Sequence, residues 1–262
     1  MPIPTVKPSS SPAERWLAYR EVNPRARLRM FCFPYAGGGA SAYRGWAAAL
    51  PSNIEVCPVQ LPGRESRLRE PPFTSPAPLI QAIADALDSY LGMPFVFFGH
   101  SMGGMIGFEL TRELRRRGKP LPLHLFVAGR RAPDVPPREE PLHDLPEPEF
   151  IEELRKLKGT PEEVLQHAEL MKLLSPVLRA DFAVNETYVF TEEEPLEQGI
   201  SAFGGLGDEE VLRDDLERWR QHTRGRFRLR MLPGDHFFLH SHKDLVTEAV
   251  ARDLSELHVP SA

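Results

Sequence analysis

The sequence predicts an α/β fold in which helices cover both faces of a mostly parallel sheet. Short apolar runs rich in β-branched and aromatic residues, such as 28–33 and 95–98, alternate with longer stretches whose apolar residues recur at helical spacing. Such alternation is typical of parallel strands joined by helical crossovers. With 262 residues, 41% hydrophobic and 26% charged, the chain can bury one sizeable core. We therefore expect a flexible tail at 1–12 and one domain over 13–262, with an insertion at about 130–199.

Composition and charge argue against several classes of function. The net charge of −5 disfavours nucleic acid as a partner, because neutralising phosphates needs a basic face. We expect no signal peptide, since the N-terminus has no apolar h-region, and no membrane span, since no run of 18 apolar residues occurs. The cytoplasm is therefore the default compartment. Cys32 and Cys57 lie in strand-like stretches without metal-ligand spacing. They are interpreted as buried hydrophobic residues, so neither a metal site nor a disulfide is expected.

The N-terminal half supplies the first strands and helices. Residues 1–12 are rich in proline and serine, which disfavour regular structure. The apolar run 28–33 ends at a proline and predicts a buried strand, and 54–58 predicts the next one. A helix is predicted between them, over 41–50. Apolar residues at helical spacing over 78–91 predict a further helix that packs on the sheet.

The most informative motif is a G-x-S-x-G sequence between a predicted strand and a predicted helix, at Gly99-His100-Ser101-Met102-Gly103. In a nucleophile elbow, the serine occupies a strained turn, and glycines are needed because the backbones of strand and helix cross there. The helix, from Met102 to about Arg117, directs its free N–H groups toward the position at which an oxyanion would form. A chance Gly-Ser-Gly turn is the alternative. The flanking elements and the partners described below favour Ser101 as a nucleophile.

A glycine triplet, 37–39, follows the first predicted strand. The hydrolase fold has its second oxyanion donor in this loop, where glycines let backbone N–H groups approach a substrate closely. The Ala36 N–H is the candidate donor, together with the Met102 N–H. A phosphate-binding loop is the alternative, but the chain lacks the Gly-Lys-Ser/Thr and G-x-G-x-x-G spacings.

Two charged features are interpreted as ordinary surface. Arg64 and Glu65, in the turn after the second strand, are expected to form a solvated pair. The basic run 115–117 is expected to end the helix that begins at Met102, where positive charge complements the helix dipole.

The alternation of strands and helices stops after a further predicted strand at 123–129. Prolines punctuate the next segment, and amphipathic helices are predicted over 148–158, 161–174 and about 177–189. An insertion of this kind predicts a lid over the active site. Met171, Leu174, Leu178 and Phe182 are the candidates for substrate contact, on an apolar inner face that also includes Leu173, Val177 and Val184. Ordinary core packing would explain the same stripe.

The sheet pattern then resumes, with a strand at 199–205, a helix over 212–223, a strand at 227–232 and a terminal helix over about 243–257. In hydrolases with a nucleophile elbow, the catalytic groups follow in the chain order Ser, Asp or Glu, His. The imidazole takes the serine proton, and the carboxylate fixes the tautomer of the imidazole.

His236 is the candidate base. It follows a late strand in a loop with a glycine and precedes an apolar run, whereas His240 and His242 lie beyond that loop. His100, next to the nucleophile, is interpreted as a packed residue of the elbow.

Asp208 is the candidate acid, because it follows the strand that precedes the His236 strand. Asp235 adjoins His236, but its side chain is expected to point elsewhere. Asp134 follows an earlier strand and remains an alternative.

Five separate motifs together resemble the type II thioesterases, the stand-alone editing hydrolases of nonribosomal peptide and polyketide synthases. The sequence is also similar to the medium-chain S-acyl fatty acid synthase thioesterase of animals. The motifs, within a resemblance that runs from about Arg27 to Leu254, are FPYAGG at 33–38, LPGRE at 61–65, GHSMGG at 99–104, SPVLRAD at 175–181 and PGDHFFL at 233–239.

The resemblance implies an α/β-hydrolase fold with a helical lid, and hydrolysis of acyl groups from the phosphopantetheine arm of acyl or peptidyl carrier protein domains. By position, Ser101, Asp208 and His236 match the family's triad, and Ala36 and Met102 match its oxyanion pair. One departure is that the proline that often follows the family's acid is missing after Asp208.

The expected activity is acyl-thioester hydrolysis through an acyl-serine, with no metal or redox cofactor and with carrier protein domains as partners. An ordinary carboxylesterase or lipase is the first alternative, because the same triad serves esters. A catalytically inactive hydrolase fold used as a binding module is the second. The presence of all three triad positions in the right order argues against it.

Overall fold

Six parallel strands form the sheet at the centre of the structure, a computed structural model that describes residues 13–259. The strands are β1 (Leu28–Phe33), β2 (Ile54–Pro58), β3 (Phe95–His100), β4 (His124–Ala128), β5 (Gly199–Gly205) and β6 (Phe227–Leu232). Their order across the sheet is β2-β1-β3-β4-β5-β6, and every neighbouring pair is parallel. The predicted fold class and the six predicted strands are confirmed. The tail expected at 1–12 lies outside the described residues.

Nine α-helices surround the sheet in this part of the chain. They are α1 (Trp46–Ala49), α2 (Pro76–Leu87), α3 (Met102–Arg116), α4 (Glu147–Leu157), α5 (Glu162–Leu165), α6 (Ala168–Glu186), α7 (Arg213–Glu217), α8 (Phe238–Ser241) and α9 (Lys243–Ser255). Short 3₁₀ helices lie at Glu14–Trp16, Ala40–Tyr43, Glu65–Arg67, Asp88–Tyr90 and Arg218–His222. The basic run 115–117 ends α3, as predicted.

Strand β1 illustrates why the strands are continuous apolar runs. Successive side chains point to opposite faces of a sheet, and both faces are covered here. Phe31 and Phe33 pack in one buried cluster with α2 and α3, whereas Met30 and Cys32 pack in a second cluster with α1 and α9. Cys57 is buried as well, as predicted for both cysteines.

The helix predicted over 41–50 is wrong. The chain forms a 3₁₀ helix at Ala40–Tyr43 and the single turn α1, separated by Arg44 and Gly45. Gly45 has φ +80°, a left-handed conformation that interrupts the helical path. Apolar spacing across the segment did not reveal this break.

The division of the insertion into helices over 161–174 and 177–189 is also wrong. The single turn α5 is followed by the 19-residue helix α6, which continues through Pro176. Proline removes one backbone hydrogen bond, but tertiary packing can outweigh that loss. Met171 and Leu178, on either side of Pro176, belong to one buried cluster with residues of α4 and α5.

None of the helices within residues 13–259 combines the length and apolar character needed to cross a membrane.

Candidate active site

Ser101 lies at the turn between β3 and α3. Its backbone has φ 53° and ψ −116°, outside the helical and extended regions. A Cβ at Gly99 would lie 1.9 Å from the Gly103 carbonyl oxygen, and a Cβ at Gly103 would lie 2.0 Å from the Phe33 carbonyl oxygen. Strand and helix therefore cross too closely for a side chain at either position. This is the strained turn that the G-x-S-x-G motif predicts.

The main chain of Ser101 is fixed, and its side chain lines a cavity. The Ser101 N–H donates to the Ala128 carbonyl oxygen over 2.7 Å, and the Ser101 carbonyl oxygen accepts from the Gly104 N–H over 2.9 Å. His236 lines the same cavity. Among the described residues, the His236 ring hydrogen-bonds to Asp208 and not to Ser101. Hydrogen bonds of a catalytic serine often tighten only when substrate is bound.

Asp208 and His236 form a buried pair. Asp208 follows β5 and His236 follows β6, and because these neighbouring strands are parallel, their C-terminal loops lie side by side. His236 Nδ1 lies 2.9 Å from Asp208 Oδ2, and each residue is 7% exposed. Asp208 Oδ1 also accepts the N–H groups of Glu210, over 2.9 Å, and Val211, over 3.1 Å. The carboxylate is therefore held in one orientation, and Nε2 is the ring nitrogen that remains for proton exchange.

The surroundings of His236 favour its protonated form. Burial by itself would lower the pKa of His236. The hydrogen bond to Asp208 and the negative charges of Glu210, Asp208 and Asp235 outweigh burial and raise this pKa above its ordinary value of 6.5. A buried imidazole with these partners can accept a proton and stabilise the resulting cation.

The two alternative acids are engaged elsewhere. Asp235 Oδ1 accepts the Phe237 N–H over 2.9 Å, and among the described residues the His236 ring hydrogen-bonds to Asp208 and not to Asp235. Asp134 pairs with Arg218, and its Oδ1 lies 2.7 Å from His222 Nε2.

The alternative bases likewise have other surroundings than a catalytic imidazole needs. His240 Nε2 lies 2.9 Å from the Tyr35 hydroxyl, and His242 Nδ1 lies 2.9 Å from Ser241 Oγ. His100 is completely buried in the elbow. The packed position expected for His100 is therefore confirmed.

One candidate oxyanion donor directly follows Ser101 in the chain, and the other belongs to a loop that follows a neighbouring strand. Met102 is the first residue of α3, and Ala36 lies in the loop after β1, the strand that pairs with β3. Ala36 lines the cavity together with Ser101. Within residues 13–259, neither the Ala36 nor the Met102 N–H donates to another protein group outside regular secondary structure.

The cavity beside Ser101 has a volume of about 320 Å³ and extends under the insertion. Three of the predicted substrate-contact residues, Leu174, Leu178 and Phe182, line it. The fourth, Met171, does not line it, because the first turn of α6 packs on α4 and α5 and buries Met171 among them. The aliphatic side chains that join them in the wall include Leu142, Leu154, Leu157, Val164 and Val177, and Phe237 adds an aromatic ring.

Two further members of the predicted inner face point elsewhere. Leu173 is 51% exposed, and Val184 is buried in the main core against the sheet. Helix α6 therefore has two apolar faces, one against the cavity and one against the core. This is why both interpretations of its apolar stripe hold in part.

Arg130 and Glu210 are charged cavity residues that the sequence analysis did not identify. Arg130 lies two residues after the end of β4 and donates to Asn185 Oδ1 over 3.0 Å. Burial and the charge of Arg131 lower the pKa of Arg130 to about 10. Burial and the charge of Asp208 raise the pKa of Glu210. The only sequence signal for either residue was its position just after a strand or after the acid.

The solvated pair predicted for Arg64 and Glu65 is wrong. Arg64 is 6% exposed and forms a two-pronged ion pair with Asp181 of α6, with Nη1–Oδ2 at 2.5 Å and Nη2–Oδ1 at 2.7 Å. Glu65 instead accepts from Ser41 Oγ over 2.5 Å. Spacing along the chain could not reveal this pair, because its members lie 117 residues apart.

Within residues 13–259, no cluster of three or more His, Cys, Asp or Glu side chains could hold a metal ion.

Comparisons with known proteins place the chain among thioesterases. The family model described as Thioesterase domain matches residues 28–257. The gramicidin S biosynthesis protein GrsT of Aneurinibacillus migulanus is 46% identical over 250 residues, which cover 95% of this chain and 98% of that protein. The RedJ thioesterase from the prodiginine pathway of Streptomyces coelicolor has a TM-score of 0.81 at 41% identity, over 87% of this chain and 86% of RedJ. BorB, a type II thioesterase from the borrelidin biosynthetic cluster, has a TM-score of 0.83 at 34% identity, over 94% of this chain and all of BorB.

Proposed function

The chain belongs to the thioesterase domain family and is a thioester hydrolase, and we propose a substrate and residue roles for this activity. The substrate is an acyl group on the phosphopantetheine arm of an acyl or peptidyl carrier protein domain of a nonribosomal peptide or polyketide synthase. The observation that carries the proposal is that Ser101 and His236, which is hydrogen-bonded to Asp208, line one cavity with apolar walls. GrsT, a gramicidin S biosynthesis protein, and BorB, a type II thioesterase from the borrelidin biosynthetic cluster, support the substrate class.

In the acylation step, Ser101 Oγ attacks the thioester carbonyl carbon while His236 Nε2 takes the hydroxyl proton. The N–H groups of Ala36 and Met102 stabilise the negative charge that develops on the carbonyl oxygen. The carbon–sulfur bond then breaks, and the proton held by His236 passes to the departing phosphopantetheine thiolate. Asp208 keeps the imidazole in the required tautomer and stabilises its cation.

In the deacylation step, a water molecule attacks the acyl-serine ester, and His236 takes its proton. The second tetrahedral intermediate collapses to release the free acid and to return the proton to Ser101 Oγ. Both steps consist of addition, elimination and proton transfer, which these side chains supply themselves. The proposed reaction therefore uses neither a metal nor a redox cofactor.

The insertion supplies the acyl-binding wall in this proposal. Leu174, Leu178 and Phe182 contribute apolar surface next to Ser101. Each methylene group buried there contributes about 0.8 kcal/mol to binding. The acyl group is therefore recognised by side chains other than those of the triad.

Comparing the hydrolysis of an acyl carrier protein thioester with that of a nitrophenyl ester of the same acyl group tests the substrate class. A higher kcat/KM for the carrier thioester supports the proposal, and a clear preference for the free ester would favour a carboxylesterase. Labelling of Ser101 by a serine-directed fluorophosphonate distinguishes either enzyme, thioesterase or carboxylesterase, from a catalytically inactive binding module. Mass spectrometry of a set of loaded carrier proteins then identifies which acyl groups are removed.

A further inference from the structure

The loop that carries Ala36 is tied to the insertion through two buried side chains. Asp181 of α6 accepts the Gly37 N–H at Oδ2 over 2.7 Å. Arg64, which forms an ion pair with the same carboxylate, donates from Nη1 to the Gly38 carbonyl oxygen over 3.0 Å. The two residues that follow Ala36 are therefore fixed through an N–H group and a carbonyl group.

Helix α6 also packs directly on this part of the molecule. A Cβ at Gly37 would lie 2.4 Å from Leu178 Cδ2, so this side chain already fills the space above the glycine. A Cβ at Gly63, next to Arg64, would lie 3.2 Å from Val177 Cγ2. Val177 and Leu178 precede Asp181 by four and three residues, so all three lie on one face of the helix.

The ion pair at the centre of this contact cannot be separated without a large penalty. Arg64 is 6% exposed and Asp181 is 3% exposed. A buried charge that loses its partner is strongly unfavourable, because water cannot replace the lost hydrogen bonds. The middle of α6 therefore stays on the loops as long as the pair is intact.

We propose that Asp181 is a positioning residue of the oxyanion hole, which acts through the Gly37 N–H to hold the Ala36 N–H in register with Ser101. The inference rests on the proposed function, because it assigns Ala36 the donor role described above. It also makes the oxyanion hole dependent on the seating of α6 over the site. Opening of the insertion then involves α4 and α5 rather than the whole of 130–199.

Two double variants isolate the Gly37 hydrogen bond from the ion pair. Arg64→Met with Asp181→Leu replaces the pair by apolar side chains of similar size, a change that buried ion pairs often tolerate, and leaves the Gly37 N–H without an acceptor. Arg64→Gln with Asp181→Asn also removes both charges, but its amide oxygen can still accept that N–H. Should the first variant not fold, Arg64→Gln with Asp181→Leu takes its place.

Each variant is assayed for kcat and KM on an acyl carrier thioester. Its affinity is measured for a trifluoromethyl ketone, which forms an oxyanion with the serine, and for a non-hydrolysable thioether analogue. We expect Arg64→Met with Asp181→Leu to lower kcat about 10²-fold with little change in KM, because a donor displaced by about 1 Å has such an effect. Ketone affinity should fall in parallel, while thioether affinity is retained. Arg64→Gln with Asp181→Asn should stay close to wild type in all four quantities.

Glu55→Gln is the matched control for stability. Glu55 is 2% exposed in β2 and pairs with Arg29 over 2.6 Å and with Arg20 over 3.1 Å. This variant should lower Tm while kcat per folded enzyme is unchanged.

Equal losses of kcat in the two double variants, or a wild-type kcat in the apolar one, would overturn the inference. If the wild-type enzyme does not hydrolyse carrier thioesters, the proposed function is wrong instead. In that case the ketone affinities of the two double variants, relative to that of the wild type, still decide the role of Asp181.

Discussion

The imidazole ring of His100 lies edge-on to that of His236, with ring centroids 5.3 Å apart and an interplanar angle of 62°. His100 is completely buried, and neither of its ring nitrogens has a hydrogen-bond partner among the described residues. Burial and the positive charges of His236 and His240 hold the pKa of His100 well below 6.5. His100 therefore stays neutral and packs against the imidazole of His236, the ring that gains and loses a proton in the proposed reaction.

His100→Leu should therefore leave turnover of the same order as in the wild type. The substitution removes a buried polar group without partners and keeps a similar volume, so the free energy of unfolding should change by about 1.5 kcal/mol or less. Steady-state kinetics and thermal unfolding of the purified variant test this. A loss of activity as deep as that of a triad variant would assign His100 a role in proton transfer.

Ser101→Ala should abolish turnover while the fold and carrier binding are retained, because the change removes only the nucleophile from the apex of the elbow. The expected loss in kcat is on the order of 10⁴ to 10⁶, by analogy with other hydrolase triads. Turnover, circular dichroism and binding of an acyl carrier protein are the measurements. Near wild-type hydrolysis would contradict the assignment of Ser101.

Asp208→Asn should lower kcat roughly 10⁴-fold, as in the serine protease precedent, because an amide holds the imidazole in the wrong tautomer. Asp134→Asn is the control, since Asp134 pairs with Arg218 and His222 away from the imidazole. Single-turnover rates of the two variants are compared. The opposite ranking would move the acid to the loop after β4.

The pH dependence of kcat/KM should follow the ionisation of His236. The neutral imidazole is the base, so activity should rise with pH through the pKa of His236, which its carboxylate neighbours raise above 6.5, and then reach a plateau. In the pH profile of the residual activity of Asp208→Asn, the midpoint should shift to lower pH, because His236 has lost its charged partner. A pH profile that does not shift between the two enzymes would indicate a different titrating group.

The elbow could be predicted from sequence because its cause is local. Gly99, Ser101 and Gly103 are required by the crossing of two adjacent elements, and the strand and helix on either side are visible as patterns. The pairing of Asp208 with His236 was also predictable, because both follow neighbouring late strands of one sheet.

What the sequence concealed depends on contacts between distant segments. Arg64 stands beside Glu65 in a polar turn, which is typical of surface residues, whereas its partner Asp181 lies 117 residues away on a helix of the insertion. The continuation of α6 through Pro176 likewise depends on packing against α4 and α5, which overrides a local helix-breaking signal. Met171 shares the helical spacing of Leu174, and only the position of the neighbouring helices separates the cavity from the interior of the insertion.

The insertion itself is predicted to open, and hydrogen exchange tests which part does so. Amides of α4 and α5 should exchange faster than those of β3, since elements that open have low local stability. Amides in the second half of α6, which the Arg64–Asp181 pair anchors, should exchange slowly. Uniformly slow exchange across 130–199 would mean that the insertion is a fixed part of the core.

Phe182→Ala should change the preferred acyl length, whereas Met171→Ala should not. Phe182 lines the cavity beside Ser101, so its truncation enlarges the acyl-binding space, and each additional buried methylene can contribute about 0.8 kcal/mol. Met171 is 2% exposed inside the insertion, so Met171→Ala should lower the free energy of unfolding by about 2–5 kcal/mol without enlarging that space.

The measurements are kcat/KM for a series of acyl chain lengths on one carrier protein, fluorophosphonate labelling of Ser101, and thermal unfolding. Labelling should stay fast in both variants, because neither change reaches the triad. If both variants shift the chain-length profile equally, the acyl group reaches into the interior of the insertion, and if neither does, it lies against another wall of the cavity.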